Sequence, residues 1–247
     1  MKNILQDIVN HTIKLGMLDK VKITSDDKKT SIFSMDQKRL IVLLGETKDP
    51  VLALQGTFGM PQLEKLRYLL EGSVYQEDAK ITLVTFKKND EDLPSGLHFE
   101  NKDGDFHNDY KFMNSEIIEK LLASLTFKEP TWSLNISPTV GAIQKFQYQA
   151  GANSEIESFS AALDGDKLKF KFGGAGHSEH GGEFVFASGV TGTLTKSWSW
   201  PVSAVLNVLK SADGNNTKMS ISNDKGAMLI ELDSGIATYK YVIPATQ

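Results

Sequence analysis

Cysteine is absent from all 247 residues. That removes disulfide frameworks, thiolate metal sites and cysteine nucleophiles together. Long apolar runs are absent too, since none approaches the roughly 20 residues that a membrane-spanning helix needs. The opening Met1-Lys-Asn-Ile-Leu-Gln-Asp reaches polar and charged residues too soon for a secretory signal. A soluble, cytoplasmic protein is expected. Positive charge is not in excess either: 27 Lys and Arg stand against 31 Asp and Glu, a net charge of −4. Such a balance argues against wrapping nucleic acid by bulk charge, but it permits phosphate contact, because only the surface that meets the phosphates has to be basic.

Catalytic patterns are also missing. The Gly-rich stretch Gly173–Gly182 has no Gly-Lys-Ser/Thr and opens no helix, so it does not read as a phosphate cradle. His177 and His180, with Glu179 and Glu183 nearby, have the residue types of a metal site. Their flanking glycines predict a loose, solvated loop that would take up nickel or zinc opportunistically. No serine, histidine and acid fall in a nucleophile motif. Lys167, Lys169 and Lys171 alternate with Leu168, Phe170 and Phe172 and read as the solvated face of an outer strand. No catalytic residue, metal or cofactor is expected. The competing reading is a metal-dependent or small-molecule enzyme on a duplicated α+β scaffold, using the His177/His180 loop.

What the chain does contain is a repeat. Phe58-Gly-Met-Pro61 opens an apolar-periodic run at Leu63, Leu66, Leu69 and Leu70, and Trp198-Ser-Trp-Pro201 opens another at Val202, Val205, Leu206 and Leu209. Each proline is expected at the first helical position, where a missing N–H costs nothing. After each helix come alternating segments, Lys80–Phe86 and Leu97–Met113 in the first copy, Lys218–Ser222 and Ala227–Ile243 in the second. Both copies close on Tyr-Lys-aromatic, at Tyr110–Phe112 and Tyr239–Tyr241.

Taken in order, Ile4, Leu5, Ile8, Val9, Thr12, Ile13 and Leu15 share one side of a helix that Gly16 stops, leaving Asn3, Gln6, Asp7, Asn10 and Lys14 on the other. Val21–Asp26, Ser31–Met35 and Leu40–Glu46 read as antiparallel strands, and Asn89–Gly96 as a polar connection. Asn114–Leu125 predicts a short amphipathic helix within a connector that runs to Pro130. Thr131–Ser137 is then a strand. Val140, Ile143, Phe146 and Ala150 form the apolar side of a helix with Gln144, Lys145, Tyr148 and Gln149 opposite. Ser158–Leu163 and Lys167–Phe172 pair across Asp164-Gly-Asp166. The expected domains are 1–113 and 131–247, joined by 114–130.

This order of elements, written twice, resembles the sliding clamps of DNA replication, the group of proliferating-cell nuclear antigen and the T-even-type phage clamps. Gly235–Ala245 is similar to the clamp C-terminal strand with its Pro-containing tail, and Asp224–Glu231 to the strand before it. The resemblance implies an α+β DNA-clamp fold: two tandemly duplicated domains, each with two helices packed on antiparallel sheet, closing into a homotrimeric ring around duplex DNA read without sequence specificity. It implies a non-enzymatic processivity factor that tethers the replicative polymerase and other clients, is loaded by an ATP-driven clamp loader, and works in the host cytoplasm if viral. On this resemblance Gln6, Asn10, Lys14, Gln144, Lys145, Tyr148 and Gln149 face DNA. Met35, Leu40, Leu125, Phe127, Pro130, Tyr241, Ile243 and Pro244 receive client peptides beside a terminus expected to be unpaired. Phe106, Tyr110 and Phe112 on one edge and Phe184 and Phe186 on another are expected to form the subunit interface.

Overall fold

A computed structural model of the chain describes residues 1–76, 78–88, 91–122, 128–173, 180–212 and 216–246. In the first half the elements are α1 (Lys2–Asn10), β1 (Val21–Ser25), β2 (Thr30–Met35), β3 (Val42–Thr47), β4 (Gly56–Met60), α2 (Leu63–Glu71), β5 (Lys80–Lys88), β6 (Glu91–Glu100), β7 (His107–Lys111) and α3 (Ser115–Leu121). The second half has β8 (Leu134–Ile136), α4 (Val140–Ala152), β9 (Ser158–Asp164), β10 (Lys167–Gly173), β11 (Gly181–Ala187), β12 (Ser199–Pro201), α5 (Val202–Ser211), β13 (Thr217–Ser222), β14 (Ala227–Asp233) and β15 (Ala237–Pro244). Apart from α3 and β8, both halves run helix, four strands, helix, three strands. The pairing order repeats as well: β4-β1-β2-β3 in the first half has the same sense as β12-β9-β10-β11 in the second, and β5-β6-β7 corresponds to β13-β14-β15.

Two compact units divide the chain. The first is Met1–Asp36, Leu43–Thr126 and Ser234–Tyr239, and the second is Gln37–Val42, Phe127–Asp233 and Lys240–Gln247. In the first unit, Leu5, Ile8 and Val9 of α1 and Leu66, Leu69 and Leu70 of α2 are buried, as are Val21, Ile23, Ile32 and Phe58 of the sheet. The opening residues of β15 lie with this unit, next to β3. There the Lys48 N–H donates to the Ile236 carbonyl at 2.9 Å. The α3 helix forms where the amphipathic pattern predicts it, capped by the Asn114 side chain, which accepts from the Ile117 N–H. Its Ile118 packs on Gly59 so closely that a Cβ there would lie 2.7 Å from the isoleucine side chain.

In the second unit a cluster of aromatic rings forms under α4, which is capped by Thr139. Phe146 lies 4.9 Å from Phe159, 5.5 Å from Phe170 and 6.1 Å from Phe184, ring centre to ring centre, in the range where edge-to-face and offset pairs attract. The alternation of Leu168, Phe170 and Phe172 turns these three inward, and all three are buried.

Several expectations are corrected. Pro61 is not the first helical residue: it precedes Gln62, which caps α2 in the left-handed region at φ 48°, while Pro201 is the cap of α5. A proline in front of the helix still loses no intrahelical bond. Of the expected connection Asn89–Gly96, Asn89 and Asp90 lie outside the described residues and the remainder is strand, because β6 begins at Glu91. Pro94 is tolerated in that strand because the β5–β6 register shifts between Val84 and Thr85, and Ser95 Oγ donates to the Val84 carbonyl. Leu97–Met113 is a hairpin in which Gly104, at φ 74°, helps turn the chain. The first helix ends at Asn10, and Ile13–Leu15 is a separate 3-10 turn closed by Gly16 at φ 77°.

Asp7 is the most instructive correction. Helical spacing puts it on the polar side of α1, yet only 7% of it is exposed. Its Oδ2 accepts hydrogen bonds from the Tyr239 hydroxyl at 2.8 Å and the Ser234 hydroxyl at 2.9 Å. His11, one turn on, comes within 3.3 Å of Oδ1 and stacks on the Tyr239 ring at 4.3 Å. A buried carboxylate is tolerated only when its lone pairs are met in this way. Replacing Asp7 by Ala should destabilise the protein by about 1–2 kcal/mol, since it removes an acceptor of the buried Tyr239 hydroxyl and one of the two acceptors of the half-buried Ser234 hydroxyl, which keeps the Ala237 carbonyl. Chemical denaturation of Asp7→Ala, Tyr239→Phe and the double variant provides the measurement. Losses that simply add would show that the carboxylate and phenol are not coupled.

Candidate nucleic-acid and partner interfaces

The solvent-facing sides of the helices differ between the units. In the second unit, α4 and α5 each carry a single lysine, Lys145 and Lys210, and no acid. Gln144 and Lys145 are exposed, Tyr148 is 76% exposed, and Gln149 is half-buried with its Oε1 accepting from Asn153 Nδ2 at 3.1 Å. Gly141, Gln144, Lys145, Tyr148, Gln149 and Phe184 line one open hollow along this helix. The surface is amide-rich, cationic and low in relief.

In the first unit two cations at the helices, Lys14 and Arg67, are matched by anions. Lys14 lies on the 3-10 turn, not on α1, and pairs with Glu71 at 2.8 Å. Arg67 pairs with Glu64, and the bonded Glu64 carboxylate holds the guanidinium above its usual range. Gln6 is half-buried. Asn10 is half-buried too, and its Oδ1 is buried without a partner. Sequence reasoning overlooked α2, whose exposed side presents Lys65 and Tyr68, the latter 78% exposed. The signal was available, because the Leu63, Leu66, Leu69, Leu70 stripe leaves those residues opposite. The helices named at the start of each repeat took the attention instead.

The residues expected at subunit edges divide between backbone and side chain. Strand β7 ends the sheet β5-β6-β7, and β11 ends β11-β10-β9-β12. On β7, the Phe112 N–H donates to Ser95 and the Phe106 carbonyl accepts from Asn101, so Phe106, Asn108, Tyr110 and Phe112 turn their backbones toward β6. By alternation, His107, Asp109 and Lys111 turn theirs to the open edge, where Lys65 Nζ reaches the Asp109 carbonyl at 3.1 Å. The Asp109 carboxylate bonds His98 Nδ1 at 2.8 Å, which holds it below the usual carboxylate range. Tyr110 is buried and bonded through its hydroxyl to the Pro61 carbonyl, and burial pushes its phenol well above the usual range. Phe112 stacks on Phe58 at 4.4 Å, and Phe186 is buried against Phe170 at 4.3 Å. Phe184 is half-buried, and Phe106 is 48% exposed. These aromatics mostly serve their own cores, and the edges offer backbone.

Of the residues assigned to client peptides, Leu125 and Phe127 lie outside the described residues. Met35 and Leu40 are half-buried, Pro130 is half-buried and Pro244 is exposed. Tyr241 and Ile243 are fully buried. The expectation of an unpaired terminus is wrong, because Ala245 N–H donates to Gly226 at 2.6 Å and Thr246 N–H to Ser199 at 2.8 Å. Backbone pairing continues past the proline, and the two apolar side chains beside it enter the core.

The lysine stripe of β10 is neutralised by acids: Lys169 meets Asp164 at 2.8 Å and Glu183 at 3.4 Å, and Lys171 meets Glu183 at 3.5 Å. His177 and Glu179 lie outside the described residues. Among those described, no group of three or more His, Asp or Glu is placed to hold a metal, and no helix is long and apolar enough to cross a membrane.

No protein-family model and no curated protein matches the chain. Solved structures do. A. fulgidus PCNA bound to the C-terminal region of FEN-1 superposes with a TM-score of 0.70 at 11% identity, covering 100% of this chain and 96% of that one. PCNA from Thermococcus kodakaraensis gives 0.67 at 12% identity, covering 98% and 97%. Entamoeba histolytica PCNA gives 0.65 at 13%, covering 100% and 96%. Over its whole length, the chain has the DNA-clamp fold of the PCNA sliding clamps.

Proposed function

We propose that the chain is a sliding clamp, a homotrimeric ring that encircles duplex DNA and tethers a replicative polymerase and other factors after loading by an ATP-driven partner. The observation that carries this reading is the unequal pairing of equivalent edges. Within the chain β3 has β15 beside it, whereas their repeat equivalents, β11 and β7, both end their sheets. Pairing β7 of one subunit with β11 of the next repeats between chains the contact that β3 and β15 make within one. Head-to-tail contacts of this kind generate a ring when the rotation closes.

A ring that slides must attract phosphate weakly and without reading bases. The amide-rich face of α4 with Lys145, and the polar side of α5 with Ser203 and Lys210, fit that demand. In the first unit the pairs Lys14–Glu71 and Arg67–Glu64, beside the uncharged Gln6 and Asn10, leave less net charge for that attraction. The domains 1–113 and 131–247, with connector 114–130, are carried forward as the working division. The client surface is assigned to Leu40, Pro130 and Pro244 of the second unit, with Met35, Leu125 and Phe127 as further contributors. That assignment follows the likeness to a clamp solved with a peptide region of FEN-1.

Three experiments test the reading. Lys145→Glu with Lys210→Glu should leave thermal stability and assembly unchanged but shorten the products of clamp-dependent primer extension, most strongly at low salt. Product lengths equal to those of the parent protein would remove α4 and α5 from the DNA path. For ring closure, Asp109→Pro is the sharper variant than Tyr110→Pro, since it deletes an outward N–H and the exposed pair with His98, whereas Tyr110 faces β6 and the core. Sedimentation should then report a folded monomer where the parent is a trimer, and a surviving trimer would refute the β7–β11 pairing. Leu40→Ser with Pro244→Ser should weaken a polymerase C-terminal peptide at least about tenfold by calorimetry. An undiminished affinity would move the client surface elsewhere.

A further inference from the structure

The two repeats differ at one sheet edge. In the second unit β13 is covered by β8, in the register Met219↔Ile136, Ser220↔Asn135 and Ile221↔Leu134. Ser133 N–H donates to the Ile221 carbonyl at 2.8 Å, and Ser220 Oγ bonds Asn135 Oδ1 at 2.8 Å. Under this cover Met219, Ile221 and Leu134 are all 0% exposed.

Strand β5 is the equivalent of β13 in the first unit. Ile81 and Leu83 face Phe99 and Leu97 across the sheet, as Met219 and Ile221 face Ile230 and Met228. Yet β5 ends its sheet, and no described strand covers it. Ile81 and Leu83 are accordingly only half-buried, although they sit on the side where Leu97 and Phe99 are fully buried. The alternation fixed by the β6–β7 bonds turns Gly96, His98 and Glu100 toward β5, and hence Val84, Thr82 and Lys80 toward β6. The outward backbone groups therefore belong to Ile81 and Leu83. Proteins usually blunt a long edge with lysines, prolines or bulges. Here these devices stand at the two ends, as Lys80, Lys87 and the register shift after Val84. Between them is an open stretch about the length of β8.

We propose that the β5 edge is a docking site for an extended segment of a partner protein. The segment adds antiparallel to β5 as β8 adds to β13, so the occupant's chemistry is that of Leu134-Asn-Ile136: two apolar residues flanking a polar one. The exposed Lys87 at one end favours acidic residues beside that core, and Lys80 at the other, 3.3 Å from Glu100, exchanges an exposed and therefore weak pair for the same contact. The proposal invokes neither DNA nor ring closure, and it stands or falls separately from the clamp reading.

The probe is a fluorescently labelled synthetic peptide, Glu-Asp-Ser-Leu-Asn-Ile-Ser-Glu-Asp, titrated against the full chain with anisotropy as the readout. Saturable binding is expected, weakened at least about tenfold when the Leu and Ile of the peptide become Ser, and likewise by Leu83→Pro, which removes an outward N–H without touching the β5–β6 bonds. Hydrogen exchange on the unaltered protein provides a readout that does not depend on the variant's folding: the amides of Ile81 and Leu83 should slow when peptide is added. No saturation, equal binding of the Ser-substituted peptide, or protection confined to other strands would overturn the proposal. So would self-association of the parent protein that Leu83→Pro abolishes, because the occupant would then be a second copy of the chain.

Discussion

Every strand has two sides of backbone donors and acceptors, and leaving a side unpaired has consequences wherever it occurs in this molecule. The duplication makes those consequences visible, because two copies of one unit place equivalent strands in different company. Strand β3 has β15 beside it, and β13 has β8. Their counterparts β11 and β5 have neither. An edge that is satisfied in one repeat and open in the other is informative in a way that an open edge in an unrepeated fold is not. The satisfied copy specifies the geometry and side-chain pattern that a missing partner would need.

Side chains at these edges take a secondary part. Tyr110, Phe112 and Phe186 look from the sequence like material for an interface, but each packs within its own unit. Adhesion between copies would then rest mostly on main-chain bonds, which any residue but proline can supply. The same economy holds on the helices. The α4 face is rich in amides with a single lysine, whereas Lys14 and Arg67 of the first unit are paired with Glu71 and Glu64.

Much of the fold was legible in the chain because its evidence is local and periodic. The Leu63, Leu66, Leu69, Leu70 stripe, the strict alternation of Lys167–Phe172 and the Asp-Gly-Asp turn each state their element directly. What escaped depended on distant partners. Asp7 reads as a surface residue until Ser234 and Tyr239 arrive, 227 and 232 positions along the chain. Tyr241 and Ile243 read as a free tail until Gly226 and Ser199 pair with the residues that follow. Pro94 reads as a break in a strand because a bulge that accommodates it leaves no mark in composition. The polar sides of the helices could be named from spacing, but the neutralisation of Lys14 could not, since Glu71 lies on a different helix.

The low identity of the structural neighbours follows from the same physics. At 11–13% identity few residues are held in common, yet the superpositions run over nearly the entire chain. A fold held together by a periodic core and paired strands asks only that apolar residues keep their period and that the strands keep their neighbours. That requirement constrains pattern far more than identity, which is why the repeat could be read from this sequence when no family model or curated relative matched it. It also explains why the difference between the repeats carries more information than any motif in either, for β5, with no counterpart of β8 among the described residues, departs from a pattern that the chain itself defines.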